Sequence, residues 1–394
     1  MRMIKLISLA LIASFLSASE NSSLLSSLKQ EKLDIDRKKI ELQSENLKYD
    51  WVKQIMGSYS TSTTDGKRGG DNNTDTFSIT LDQPVFKSGG IFYAIQYAGA
   101  NREFLRLSST LNEQNLIKSV ISSWLSMKKY DLQIQRQKYL IENAKIDIIR
   151  KKEQYESGFL DSSFLDNAIL NKTTFEKSLI DMESLRYSQL MIFQSLSDAN
   201  YMQITPPTFS MIDRDRYLTS SLTLQQLDAD SKRAEYLKKM TISNYLPTFS
   251  LYAGYYDSPS SFNSNDTYNQ IGLRVSMPLI DLNRGRTIEI RQLEYLQSKI
   301  EIQDTKKEEG NIYQDYVKKI EFLQKKIDIV AEDEKLYDSL LSSTKELFEA
   351  GEKTIYDVDT LHNSKQTMTL DKQIFAIDIQ QVLLNLYAKM HGEI

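Results

Sequence analysis

The chain has 394 residues, 40% apolar and 26% charged, with a net charge of −4. No basic block stands out, so nothing points to a nucleic-acid partner. Cysteine is absent, which excludes disulfides, thiolate metal sites, cysteine nucleophiles and the acceptor for N-terminal lipidation.

Taken in chain order, the first element reads as a secretory signal. Arg2 and Lys5 precede the apolar run Leu6 to Leu16, and the small residues Ser17, Ala18 and Ser19 close it. Residues 1–18 are therefore expected to be a signal peptide. No later stretch approaches the roughly 20 apolar residues that a membrane helix needs.

Two strands are expected next, the first with the weaker alternation. The first lies near Trp51 to Ser60; the second alternates Phe77, Ile79 and Leu81 with Ser78, Thr80 and Asp82, and ends at Pro84. A polar loop containing Asp65-Gly66 and Gly69-Gly70 joins them. From Val85 to Thr205 there is no proline. Interior proline costs a helix about 3 kcal/mol, so this span permits long helices. One from about Ser88 to Ser157 would measure roughly 105 Å. Ile117, Val120, Trp124, Met127 and Ile134 keep a coiled-coil register along it, interrupted by Asp131. A helix of that length must lie against other helices. It is expected to reverse at Gly158, with Asp161, Ser162 and Ser163 supplying cap chemistry for the returning helix.

The tract 201–217, with Pro206-Pro207, reads as a linker, and the pattern then repeats. Phe249, Leu251, Ala253 and Tyr255 alternate with Ser250, Tyr252, Gly254 and Tyr256. Ile271, Leu273, Val275 and Met277 alternate with Gly272, Arg274 and Ser276 up to Pro278. Beyond Leu279 a second proline-free span carries an a/d seam through Tyr313, Tyr316, Ile320, Leu323, Ile327, Val330, Tyr337, Leu341, Thr344 and Phe348. It reverses at Gly351, where Thr354 is the expected cap. The two turns, Tyr155-Glu156-Ser157-Gly158 and Phe348-Glu349-Ala350-Gly351, lie 193 residues apart (158 to 351). The two strand-end prolines lie 194 apart (84 to 278). Such an offset is too long for a solenoid repeat and reads as a duplicated half-protein. The organisation is thus repeat 1 over 19–200, a linker over 201–217 and repeat 2 over 218–394, each repeat holding a helix, two strands and a helical hairpin.

Strands with one apolar and one polar face suit a soluble sandwich or a membrane barrel. Four strands cannot close a barrel, since the smallest use about eight, and lipid does not tolerate unpaired edges. Any barrel must therefore be shared between chains. Tyr59, Phe77, Tyr252, Tyr255 and Tyr256 would suit its interfacial girdle. Strand residues leave the two settings open. Helices of roughly 100 Å on an exported chain favour the membrane setting.

At this point the chain resembles the TolC-like outer membrane efflux protein family. The likeness rests on the strand ends Leu81-Asp82-Gln83-Pro84-Val85-Phe86-Lys87-Ser88-Gly89-Gly90 and Val275 through Gly285, and on the turns around Gly158 and Gly351. It implies an α+β membrane protein: a long α-helical coiled-coil barrel with a short transmembrane β-barrel shared by a homotrimer, and an internal two-fold repeat. It implies an outer membrane channel, the passive exit duct of a tripartite efflux or type I secretion system. Such a duct extends into the periplasm of a Gram-negative bacterium. Its partners would be a periplasmic adaptor (membrane fusion) protein, an inner-membrane pump of RND or ABC type, and outer membrane lipid. The match makes Tyr155, Gly158, Asp161, Phe348, Gly351, Lys353 and Asp357 candidates for a periplasmic tip or gate. Pro84, Gly89, Gly90, Pro278 and Gly285 would be strand-to-helix junctions. The chain departs from the family pattern at Phe348, which lacks a hydroxyl, and at Phe164, which stands where the second half has Asp357. Lys353 is expected to pair with a carboxylate of a neighbouring helix.

No phosphate loop, His-Glu-x-x-His motif or nucleophile elbow occurs, and the two histidines, His362 and His391, are far from any such pattern. No enzyme activity, cofactor or metal is expected. The competing reading is a periplasmic coiled-coil adaptor or scaffold that forms no pore.

Overall fold

The computed structural model describes residues 24–64, 72–205, 207–258, 267–390 and 392. The expected signal peptide, the loop residues Asp65, Gly66, Gly69 and Gly70, and Pro206, Pro259 and His391 lie outside them. The order of elements is α1 (Ser27–Tyr49), β1 (Met56–Thr64), β2 (Asn72–Phe86), α2 (Gly90–Glu156), α3 (Ser162–Leu196), α4 (Arg214–Ser220), α5 (Leu222–Ser243), β3 (Thr248–Asp257), β4 (Thr267–Ser276), α6 (Arg284–Glu349) and α7 (Ile355–Tyr387). Among the described residues no helix is long and apolar enough to cross a membrane.

The chain forms two compact units, and each draws on both sequence repeats. One comprises Thr110–Leu222 with the described parts of Met1–Leu33 and Lys307–Ile394. Its core holds Ile117, Val120 and Met127 of the expected α2 seam, Phe193 of α3 and Leu383, Leu384 and Leu386 of α7. Asp131, the polar break in that seam, is met by Arg186 of α3, so the interruption is an ion pair between neighbouring helices. The tract read as a linker is also part of this core. Phe209, Ile212 and Tyr217 are buried, and the Trp124 indole N–H donates to the Tyr201 carbonyl at 2.9 Å. Prolines and short polar runs concealed three anchors spaced too irregularly to show a period.

Among its described residues the same unit buries an acid. Glu309 of α6 is 4% exposed and receives Lys389 Nζ at 2.9 and 3.0 Å on its two oxygens. The Tyr217 hydroxyl donates to it as well. Burial and then the Glu309 hydrogen bond push the Tyr217 phenol well above its ordinary range. Next to Glu309, a Cβ on Gly310 would stand 3.0 Å from the Arg214 guanidinium, which would have to give by a few tenths of an ångström to admit a side chain.

The second unit comprises Asp34–Ser109 and Thr223–Lys306 and carries the sheet, in the antiparallel order β1-β2-β3-β4. The first-half hairpin joins the second-half hairpin through β2 and β3, from Phe77↔Asp257 to Phe86↔Phe249. Among the described residues, both outer strands, β1 and β4, have one edge with no strand paired to it. β1 begins at Met56, five residues later than expected, because α1 runs to Tyr49 and the chain needs a turn before it can extend. Pro84 does not end β2. The strand runs on to Phe86, with a register shift between Pro84 and Phe86; a proline lacking its N–H is accommodated beside such a bulge.

Candidate functional site

The two helix turns are built alike from the backbone up. At the end of α2, Gly158 adopts φ +76. Its N–H donates to the Tyr155 carbonyl at 2.9 Å, and the Phe159 N–H donates to Gln154 at 2.8 Å. At the end of α6, Gly351 has φ +79, with Gly351 to Phe348 at 3.0 Å and Glu352 to Leu347 at 2.8 Å. Both are Schellman motifs, which close the last helical carbonyls and require a residue that tolerates positive φ. Tyr155 and Phe348 thus hold equivalent places and both remain exposed.

A carboxylate takes part in the N-terminal cap of each returning helix. Asp161 accepts the Ser163 N–H at 2.8 Å; that bond, then the Ser163 hydroxyl, holds its carboxyl below the usual range. In the second turn Asp357 does two things. Its Oδ2 accepts the Thr354 N–H at 2.9 Å and the Thr354 hydroxyl at 2.8 Å, a capping box with Thr354 at the N-cap. Its Oδ1 takes Arg150 Nη2 of α2 at 2.7 Å. The Thr354 hydrogen bonds, then Arg150 and lastly Lys353, hold Asp357 below the ordinary carboxylate value. In the first turn Phe164 stands in the matching place, and Lys151 lies 5.8 Å from its ring centroid.

Arg150 was not singled out from sequence. It ends a ladder between α2 and the antiparallel α7. Lys129 pairs with Asp378 at 2.6 Å and Arg136 with Asp371 at 2.8 Å. Asn143 bonds the Ser364 hydroxyl at 3.3 Å, and Arg150 bonds Asp357. Each step is seven residues on both helices, and every pair sums to 507. That is a heptad seam written in polar residues. Its signal was present in the spacing of Lys129, Arg136, Asn143 and Arg150, but a search for apolar periodicity passes over it.

The junctions differ between halves. Ser88 and Gly89 both have positive φ, +45 and +84, and Gly90 opens α2. A Cβ on Gly90 would collide with the Ser243 hydroxyl, so this turn needs glycine twice. Pro278 lies two residues past the end of β4, and Gly285 sits in the first turn of α6 with open space around it and no positive φ.

On the sheet, odd-numbered residues such as Ile79, Leu251, Ile271 and Leu273 share one face, and Ile271 and Leu273 are 80% and 81% exposed. Tyr59, Phe77 and Tyr255 lie on this apolar face, with the Phe77 and Tyr255 rings 6.4 Å apart. Tyr252 and Tyr256 do not; strand alternation puts them on the opposite, hydroxyl-rich face, where Ser58 and Ser78 bond at 2.8 Å.

Duplicated helical hairpins with a four-stranded antiparallel sheet are also the fold of solved outer membrane channels. Among solved structures, the outer membrane protein VceC from Vibrio cholerae matches with TM-score 0.71 over 95% of this chain and 96% of its own, at 14% identity. The Campylobacter jejuni outer membrane channel CmeC matches with TM-score 0.71 over 96% and 86%, at 12% identity. The open state of the Neisseria gonorrhoeae outer membrane channel MtrE matches with TM-score 0.57 over 93% and 88%, at 11% identity. No family model matches the chain, and neither does any curated protein.

Proposed function

We propose that the protein is an outer membrane channel, the passive exit duct of a tripartite efflux or type I secretion system, working as a homotrimer. The observation that carries this reading is the sheet. One face is apolar and exposed, the other is lined with hydroxyls, and both edges are open. A surface of that kind is unfavourable in water and unfinished in lipid. Three copies supply twelve strands, enough for a closed barrel with lipid outside and water inside. In this reading the hydroxyl-rich face lines the pore and the helices carry the duct through the periplasm.

The turns at Gly158 and Gly351 are then the periplasmic tip, where a periplasmic adaptor and an inner-membrane pump of RND or ABC type dock. Asp357, with Arg150 and Lys353 beside it, is the polar latch. Partly exposed ion pairs are worth about 0–1 kcal/mol each, which suits a closure that must be undone. The adaptor reading has less support. An adaptor would interrupt a hairpin with a β-rich domain, whereas here only residues 157–161 and 350–354 separate the helices of each hairpin.

Cell fractionation tests the proposal. A heat-modifiable trimer in the outer membrane fraction is expected; a monomer in the periplasmic fraction would overturn it. Replacing Lys353 and Asp357 together is expected to raise single-channel conductance, and unchanged conductance would remove these residues from the latch.

A further inference from the structure

The strand register leaves the hydroxyl-rich face with almost no charge. Among the described strand residues on it, Asp82 and Arg274 are the two that are charged. They belong to β2 and β4, which are not neighbours, and they pair across β3. Tyr252 is the residue they cross. Asp82 stands opposite it in the β2–β3 register, and the Arg274 guanidinium lies 4.8 Å from its ring centroid.

A scaffold of hydroxyls and rings holds this crossing in place. The Tyr252 hydroxyl donates to Gln270 Oε1 at 3.2 Å and shares a hydrogen bond with the Tyr256 hydroxyl. Tyr256 stacks on Tyr268 with centroids 4.9 Å apart and planes 16° from parallel. Gly254 makes room, since a Cβ there would stand 2.7 Å from the Tyr256 ring. Arginine stacked on an aromatic face and paired with a carboxylate keeps a defined direction.

We infer that the Asp82–Arg274 pair sets the ion selectivity of the strand-lined part of the pore. The inference rests on the channel reading. With both partners present, the face carries no net charge and favours neither cations nor anions. With one removed, a trimer presents three like charges to the water path. At an ionic strength near 0.1 M such charges act over about 10 Å, and at 1 M over about 3 Å. Tyr252, Tyr256 and Gly254 are positioning residues, acting through Arg274.

The test is the reversal potential of the full-length trimer in planar bilayers under a KCl gradient at low salt. Arg274→Gln is expected to shift the permeability ratio toward potassium by about twofold, and Asp82→Asn toward chloride by about the same factor. The exchanged variant, Asp82→Arg with Arg274→Asp, is expected to match the wild type. Both single shifts are expected to shrink near 1 M KCl. If one single variant does not insert, the sign of the shift in the other decides. Single variants that match the wild type, or that shift in one common direction, would overturn the inference while leaving the channel intact. A wild type that conducts no ions would overturn the channel reading, and this inference with it.

Discussion

Gly351 shows how much one residue carries in this chain. Its φ of +79 lies where L side chains are strained, and the Schellman bonds of the α6 end depend on it. Space is not the constraint, because nothing stands within 4 Å of a Cβ built there. Gly351→Ala is therefore expected to cost about 1 kcal/mol through backbone strain alone. Amide exchange across 348–357 reads that cost, and exchange as slow as in the wild type would contradict it. Asp357 adds a pH dependence of definite sign. Its folded pKa lies below the unfolded one, chiefly through Thr354 and then Arg150. Its contribution is thus complete above the ordinary carboxylate value, near 3.8, and is lost as pH falls through the depressed one. Protection of the Thr354 amide should hold from neutral pH to that region and fail below it, and Asp357→Asn should remove the dependence. Glu309 is the opposite kind of acid, buried and charge-paired. Lys389→Met leaves that charge uncompensated and is expected to destabilise by about 3–5 kcal/mol, with much of the loss recovered in Lys389→Met/Glu309→Gln. Thermal unfolding of the detergent-solubilised protein compares the two; equal losses would contradict the account.

Among elements, the α2–α7 ladder separates what sequence reading reached from what it missed. The apolar seam through Ile117, Val120 and Met127 was legible because hydrophobic periodicity is a local signal. The polar rungs were not, because Lys129 and Asp378 acquire meaning only once α7 is known to lie antiparallel to α2. Strand faces were legible in the same way, by period two, while strand ends were not. β2 continues past Pro84 because a register shift absorbs the missing N–H, and nothing in a single strand's sequence announces the partner's register. The packing of the tract 201–217 was hidden for a related reason: Phe209, Ile212 and Tyr217 are anchors fixed by the tertiary core rather than by spacing. If the ladder sets register, Arg136→Asp should destabilise α2–α7 packing and Asp371→Arg in the same chain should restore it. A double-mutant cycle is expected to give a coupling of about 1 kcal/mol. No coupling would make the heptad spacing incidental.

At the scale of the whole molecule, the duplication recurs in the paired Schellman turns and in the two hairpins that meet at β2 and β3. The halves are not equivalent. Asp357 faces Arg150 where Phe164 faces Lys151, and the first junction needs left-handed backbone at Ser88 and Gly89 where the second does not. In the proposed trimer, three such chains would bring together six similar turns of two kinds, with the Arg150–Asp357 pair confined to alternate ones. Everything at this scale depends on the open, two-faced sheet being completed by further copies around a water path. Single-channel recording of the purified protein in a planar lipid bilayer tests that most directly. The account predicts discrete, uniform conductance steps from a trimeric species. A trimer that inserts without passing current, or a protein that remains monomeric and never inserts, would contradict it.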